Sequence, residues 1–146
     1  MREKCYQLKF SESFIMYEFI SEGVKGRIPK IIKYTESSTK GIFNLGFGDK
    51  IGDTDDFDDE SISNNQDSIR VLATVADSVY IFTDKFPDVY VFATGSTPSR
   101  TRLYRIGISN NLKEIQADFI VLGLFQGVWE IFEKNKNYTA FLVTRK

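Results

Sequence analysis

The spacing of hydrophobic and polar residues changes several times along the chain, and each change marks an element. Tyr6 to Phe10 alternates at period two, as a half-buried strand does. Phe14 to Ile20, rich in aromatic and branched residues, predicts a second strand, and Ser21 to Gly26 a turn. Ile28 to Thr35 predicts a third strand. Pro29 near its start suits an edge position, because proline offers a ladder no N–H. Ile42 to Phe47 predicts a fourth strand, loosened at its end by Gly46 and Gly48. Those glycines, like Gly23 and Gly26, read as turns or bulges.

Residues 48–66 are polar and aperiodic, and are expected to form a mobile acidic loop or to cap the next helix. From Asp67 the period becomes helical, with Ile69, Leu72, Ala73, Ala76, Val79 and Tyr80 on one face. Asn65 or Asp67 is the candidate cap, and Pro87 ends this helix near Lys85. Tyr90 to Thr94 is a short apolar run that predicts a central strand. Pro98 opens a second helix with Leu103, Tyr104, Ile106 and Ile108 turned inward. Ser109–Asn111 breaks it, and residues 112–117 form a separate turn. Phe119–Phe125, Val128–Phe132 and Tyr138–Thr144 predict antiparallel hairpins at the end of the chain. The order ββββ-α-β-α-βββ predicts one α+β domain over residues 1–146, its mainly antiparallel sheet holding about six to eight strands beside two principal helices.

Composition adds mainly exclusions. With 146 residues, 42% of them hydrophobic and 27% charged, the chain can build one ordinary globular core. Its 13 Phe and 7 Tyr are suited to filling a core made of strands. A net charge of −1 gives no general attraction for nucleic acid or acidic membranes, so a polyanion would need a local basic patch. Charge is unevenly laid out: residues 49–60 are strongly acidic, whereas residues 98–105 carry three arginines and no acid. Histidine is absent, which removes Ser-His-Asp triads, Cys-His dyads and His-ligated zinc. Cys5 is the one cysteine, a small packing residue with no histidine to activate it, and no intrachain disulfide can form. A charged start without an apolar signal core, and no apolar run long enough to cross a bilayer, predict a cytoplasmic protein with no membrane partner.

Several signatures recur together: Ser21-Glu-Gly-Val-Lys-Gly-Arg-Ile-Pro-Lys30, Asn44-Leu-Gly-Phe-Gly-Asp49, Ile62-Ser-Asn-Asn65 and Val71-Leu-Ala-Thr-Val75. The fullest is Phe92-Ala-Thr-Gly-Ser-Thr-Pro-Ser-Arg-Thr-Arg-Leu-Tyr-Arg105. Through them the chain resembles, over most of its length, a family of small bacterial proteins of unassigned function. The resemblance implies a free-standing domain and no particular chemistry.

The most specific chemistry lies at 94–105, a strand, a glycine turn and a helix start loaded with hydroxyls and arginines. Helix N-termini carry unpaired N–H groups and partial positive charge, so anions settle there. Gly95 allows close approach, Ser96 and Thr97 supply hydroxyls, and Arg100, Arg102 and Arg105 supply charge that grips phosphate or carboxylate through paired hydrogen bonds. Arg102 and Arg105 share a helix face; Arg100 does not. The competing reading is an ordinary Ser-Thr-Pro cap with arginines paired to Glu114 or the 53–60 segment. The run is neither a P-loop nor a dinucleotide fingerprint.

Asp53 to Glu60 gathers carboxylates that could hold a hard cation, but the EF-hand frame fails. Phe57 stands at its fifth position, Asp58 where glycine is needed, and Asn64 at its twelfth. No metal or cofactor is therefore expected, and Phe57 suggests that the loop docks on its own core or on a partner. The leading expectation is a non-enzymatic binding domain for a phosphate-containing ligand, RNA or an acidic protein segment. Two alternatives stand beside it. One is a toxin-like RNA-cleaving enzyme of a toxin–antitoxin pair, using the same arginines with Tyr104 moving protons. The other is a pure protein-interaction module.

Overall fold

Residues 5–58 and 64–146 are described by the computed structural model, and all of their strands join one sheet. In chain order the elements are β1 (Lys9–Phe10), β2 (Met16–Gly23), β3 (Gly26–Glu36), β4 (Ile42–Lys50), β5 (Phe57–Asp58) and α1 (Ser68–Lys85). They continue with β6 (Tyr90–Ala93), α2 (Pro98–Asn110), α3 (Leu112–Asp118), β7 (Phe119–Phe125), β8 (Val128–Ile131) and β9 (Ala140–Arg145). The fold is α+β with a mostly antiparallel sheet in the order β1-β2-β3-β4-β6-β9-β7-β8, and β5 adds to β4. The exception is β4 with β6, which run parallel, as a connection carrying α1 allows. β1 and β5 are two residues each, and β5, inside the segment read as a loop, is too short to show a period.

All three helices cover one face of this sheet. Tyr17, Phe19, Ile32, Tyr34, Val91, Val121 and Phe141 point from the strands into the core beneath them. At its centre the ring of Tyr34 stacks on Phe82 of α1 with centroids 4.1 Å apart, while the Tyr34 hydroxyl meets Ser78 Oγ at 2.8 Å. Thr74 and Ser78, polar yet fully buried, donate to the Arg70 and Val75 carbonyls within α1.

The structure departs from the sequence expectations at several points. The first segment pairs as a strand only at Lys9–Phe10; Tyr6 instead turns inward, its N–H reaching Thr74 Oγ1. β2 runs on to Gly23, so the turn shrinks to Val24 and Lys25. Pro29 is not on an edge strand, since β3 lies between β2 and β4. It sits just past the last register pair with β4, Lys30 with Asp49, where no ladder donor is required. Neither candidate cap closes α1. Asp67 occupies the cap position without a side-chain bond to the helix, accepting instead from Tyr6 Oη at 2.6 Å and Ser21 Oγ at 2.5 Å. Buried Asn65 locks the β2–β3 turn through Lys25 N–H and the Gly26 carbonyl. Ile69 lies 62% exposed in a first turn of α1 whose residues 68–70 all meet solvent, whereas Phe82 is fully buried. The last strands do not lie in sequence order, as β9 inserts between β6 and β7 and leaves β8 at the edge.

Gly46 and Gly48 are seats rather than turns. Phe57 folds back over them, its ring 2.7 and 2.9 Å from where a Cβ on each would stand. Within the segment expected to be a loop, residues 48–50 complete β4 and residues 57–58 form β5. Asp56 lies 3.3 Å from Lys33 and Lys50 lies 2.9 Å from Glu18. Asp59 and Glu60, also counted in the acidic cluster, fall outside the described residues. Among the described residues no group of His, Cys, Asp or Glu is arranged to hold a metal ion.

Candidate functional site: the groove at the start of α2

β6 ends at Ala93, and the chain turns through Thr94 to Thr97 into α2. Thr97 has the extended backbone of a helix cap, and its hydroxyl accepts from the Arg100 N–H at 3.3 Å. Pro98 follows at the first helical position, where a missing N–H costs nothing. Thr101 closes the turn from the helix side, accepting from the Gly95 N–H at 3.0 Å. The Thr101 N–H in turn reaches the Thr97 carbonyl at 3.1 Å. A Cβ on Gly95 would come within 2.6 Å of Arg100 Cβ, so glycine is required here for the chain to lie against its own helix.

In front of this turn is an open groove of about 600 Å³. One wall is Thr94 to Pro98 with Thr101, Arg102 and Arg105, and the other is Asn137, Tyr138 and Thr139 from the approach to β9. The walls are tied together by Thr94 Oγ1 donating to the Thr139 carbonyl at 2.9 Å and by the Arg105 guanidinium donating to Asn137 Oδ1. Among the described residues that line the groove none is acidic. Tyr138 is held from behind, donating to Glu130 Oε2 at 2.9 Å, while Lys136 pairs with the same carboxylate at 2.7 Å. Gly123 lies under its ring.

Five of the six residues expected at an anion site therefore line one groove: Gly95, Ser96, Thr97, Arg102 and Arg105. Arg100 does not join them. It is 4% exposed, donates to the Phe47 carbonyl of β4 and stands over the Phe47 ring at 5.3 Å. Tyr104, the candidate proton carrier, also faces the interior: it is buried, its hydroxyl reaches toward the Leu45 carbonyl at 3.4 Å, and burial pushes its phenol well above the ordinary range. Arg102 is the contrasting case. It is exposed and has no hydrogen-bond or ion-pair partner among the described residues.

The geometry also redistributes the roles. Backbone donors at the turn are largely taken by Thr97 and Thr101, so the cationic character of the groove rests on the two guanidiniums and the helix dipole. Asn137 and Thr139 escape sequence reasoning. They lie over thirty residues downstream, Asn137 in a polar turn and Thr139 in a segment read as a strand, and no local pattern marks them as a wall.

The model of one protein family, described as a family of unknown function (DUF6934), matches residues 2–146. The chain belongs to this family. No curated protein and no solved structure matches it. In this DUF6934 chain no helix among the described residues is long and apolar enough to cross a membrane.

Proposed function

We propose that this protein is a binding domain whose groove at the start of α2 takes a phosphate-bearing or otherwise acidic ligand. The observation that carries the reading is Arg102, exposed and unpartnered among the described residues, beside Arg105 on a concave surface whose described lining holds no acid. A guanidinium fork matches a phosphate or carboxylate in two parallel bonds, and the positive end of α2 adds to the same field. Arg105 is already oriented by Asn137, so less side-chain freedom is lost on binding. The internal position of Tyr104 gives no support to an RNA-cleaving reading.

The test is a thermal-shift titration with inorganic phosphate, nucleotides and a short RNA, run on wild type and on Arg102→Ala/Arg105→Ala. A ligand at about 100 times its Kd adds roughly 2.7 kcal/mol of stability. The proposal requires a rise with a phosphate compound that the double variant loses. No rise, or one that survives in the variant, would remove the groove from consideration.

A further inference from the structure

The sheet has a second face that no helix of the described residues covers, and its two halves differ in charge. An antiparallel sheet open to water on one side should alternate apolar-in with polar-out. β2, β3 and β4 carry charges on the open side, Glu18, Lys33 and Lys50, set among Met16, Ile20 and Ile31. β6, β9, β7 and β8 break that alternation. Register places Tyr90 and Phe92 with Thr144 and Leu142, Leu142 with Leu122, and Leu122 and Leu124 with Ile131 and Trp129, all on the open side. The rings of Phe92 and Trp129 meet there at 6.2 Å. No charged residue occupies an outward position of these four strands.

Tyr90, Ile120, Trp129 and Ile131 are 41%, 46%, 39% and 68% exposed. Those fractions amount to roughly 400 Å² of apolar surface, and half-buried Phe92, Leu122, Leu124 and Leu142 bring the patch to the order of 600 Å². We infer that this face is covered by a second copy of the same chain. Two such patches together bury about 1,200 Å², the lower bound for a stable specific interface. An uncharged apolar surface is also complementary to itself, since a two-fold axis brings no like charges together. A charged partner would find nothing to pair with. The exposed edge strand β8 borders the patch and lengthens the contact.

Sedimentation velocity over a concentration series, on the full chain, tests this. Wild type should show a reversible dimer with a Kd on the order of micromolar, as expected for an interface of minimal size. Trp129 is the one tryptophan, so its emission should shift to the blue as the dimer forms. Ile120→Glu/Ile131→Glu should sediment as a monomer with an unchanged far-UV spectrum, since both side chains already meet solvent. Val24→Glu, a control on the 67% exposed β2–β3 turn, should remain dimeric. A wild-type monomer across the whole series would overturn the inference, whether or not the face then binds lipid vesicles. So would a dimer that survives the double variant.

Discussion

Truncating Arg100 and Arg102 separately should divide two residues that stand two apart on one helix into opposite roles. Arg100 is 4% exposed, and its guanidinium donates to the Phe47 carbonyl in a core strand. Arg100→Ala takes that charged donor away, which costs about 1.5–3 kcal/mol when the carbonyl stays buried. The lost methylenes of the stem add roughly 0.8 kcal/mol each, and relief of the burial cost of the charge offsets part of the total. The net is about 3 kcal/mol, or on the order of 10 °C in Tm for a chain of this size. Arg102→Ala removes no hydrogen bond or ion pair among the described residues and should change stability by less than about 0.5 kcal/mol. Urea unfolding followed by circular dichroism reads both variants. If Arg100→Ala lost less than about 1 kcal/mol, or Arg102→Ala lost as much as Arg100→Ala, the division would be refuted.

Other substitutions and conditions test the packing. Gly123→Ala sets a Cβ 2.6 Å from Tyr138 Cγ and should cost about 1–3 kcal/mol in urea unfolding; a neutral result would mean the ring is not seated there. Gly95→Ala should also destabilise by roughly 2 kcal/mol, because the clash is with the fixed first turn of α2 and no rotamer relieves it; an unchanged Tm would contradict the turn described. Phe57→Ala should lower stability by about 1–2 kcal/mol and leave Gly46 and Gly48 uncovered, and hydrogen exchange should then quicken along β4. Tyr80 is pushed up to about 12 by burial first and by its hydrogen bond to Asp118 second, and burial also raises Tyr17 and Tyr34. A phenol kept neutral by the fold contributes stability that is fully present below the ordinary value of 10.0 and is lost as pH rises from there toward the folded value. With no histidine in the chain, Tm should stay nearly flat between about pH 6 and 9 and fall steeply above 10. Phenol ionisation near 10 with Tm unchanged would overturn it.

Which features are legible in the sequence depends on the range of the forces involved. α1 ends near Lys85, α2 starts at Pro98 and β6 is central because Pro87, Ser-Thr-Pro and a four-residue apolar run act within a few positions of themselves. The true face of α1 is harder to read, because Thr74 and Ser78 sit in the core with their hydroxyls returned to their own helix. Polar residues therefore occupy apolar positions at no unpaired cost. Gly46 and Gly48 resemble a weakened strand end because the ring that needs them, Phe57, returns from about ten residues further on. The position of β9 between β6 and β7 depends on distant pairing that hairpin spacing does not encode. At the groove, helix periodicity puts the arginines on the right element. Only packing shows that Arg100 points into the sheet while Arg102 points out.

Ligand binding in that groove is read residue by residue in an amide and arginine-side-chain NMR titration with a phosphate compound. Shifts should cluster at Gly95, Ser96, Thr97, Arg102, Arg105, Asn137 and Thr139, with the Arg102 side chain moving most and the set weakened by salt. Shifts centred elsewhere, or none at concentrations that saturate the thermal response, would contradict binding in the groove.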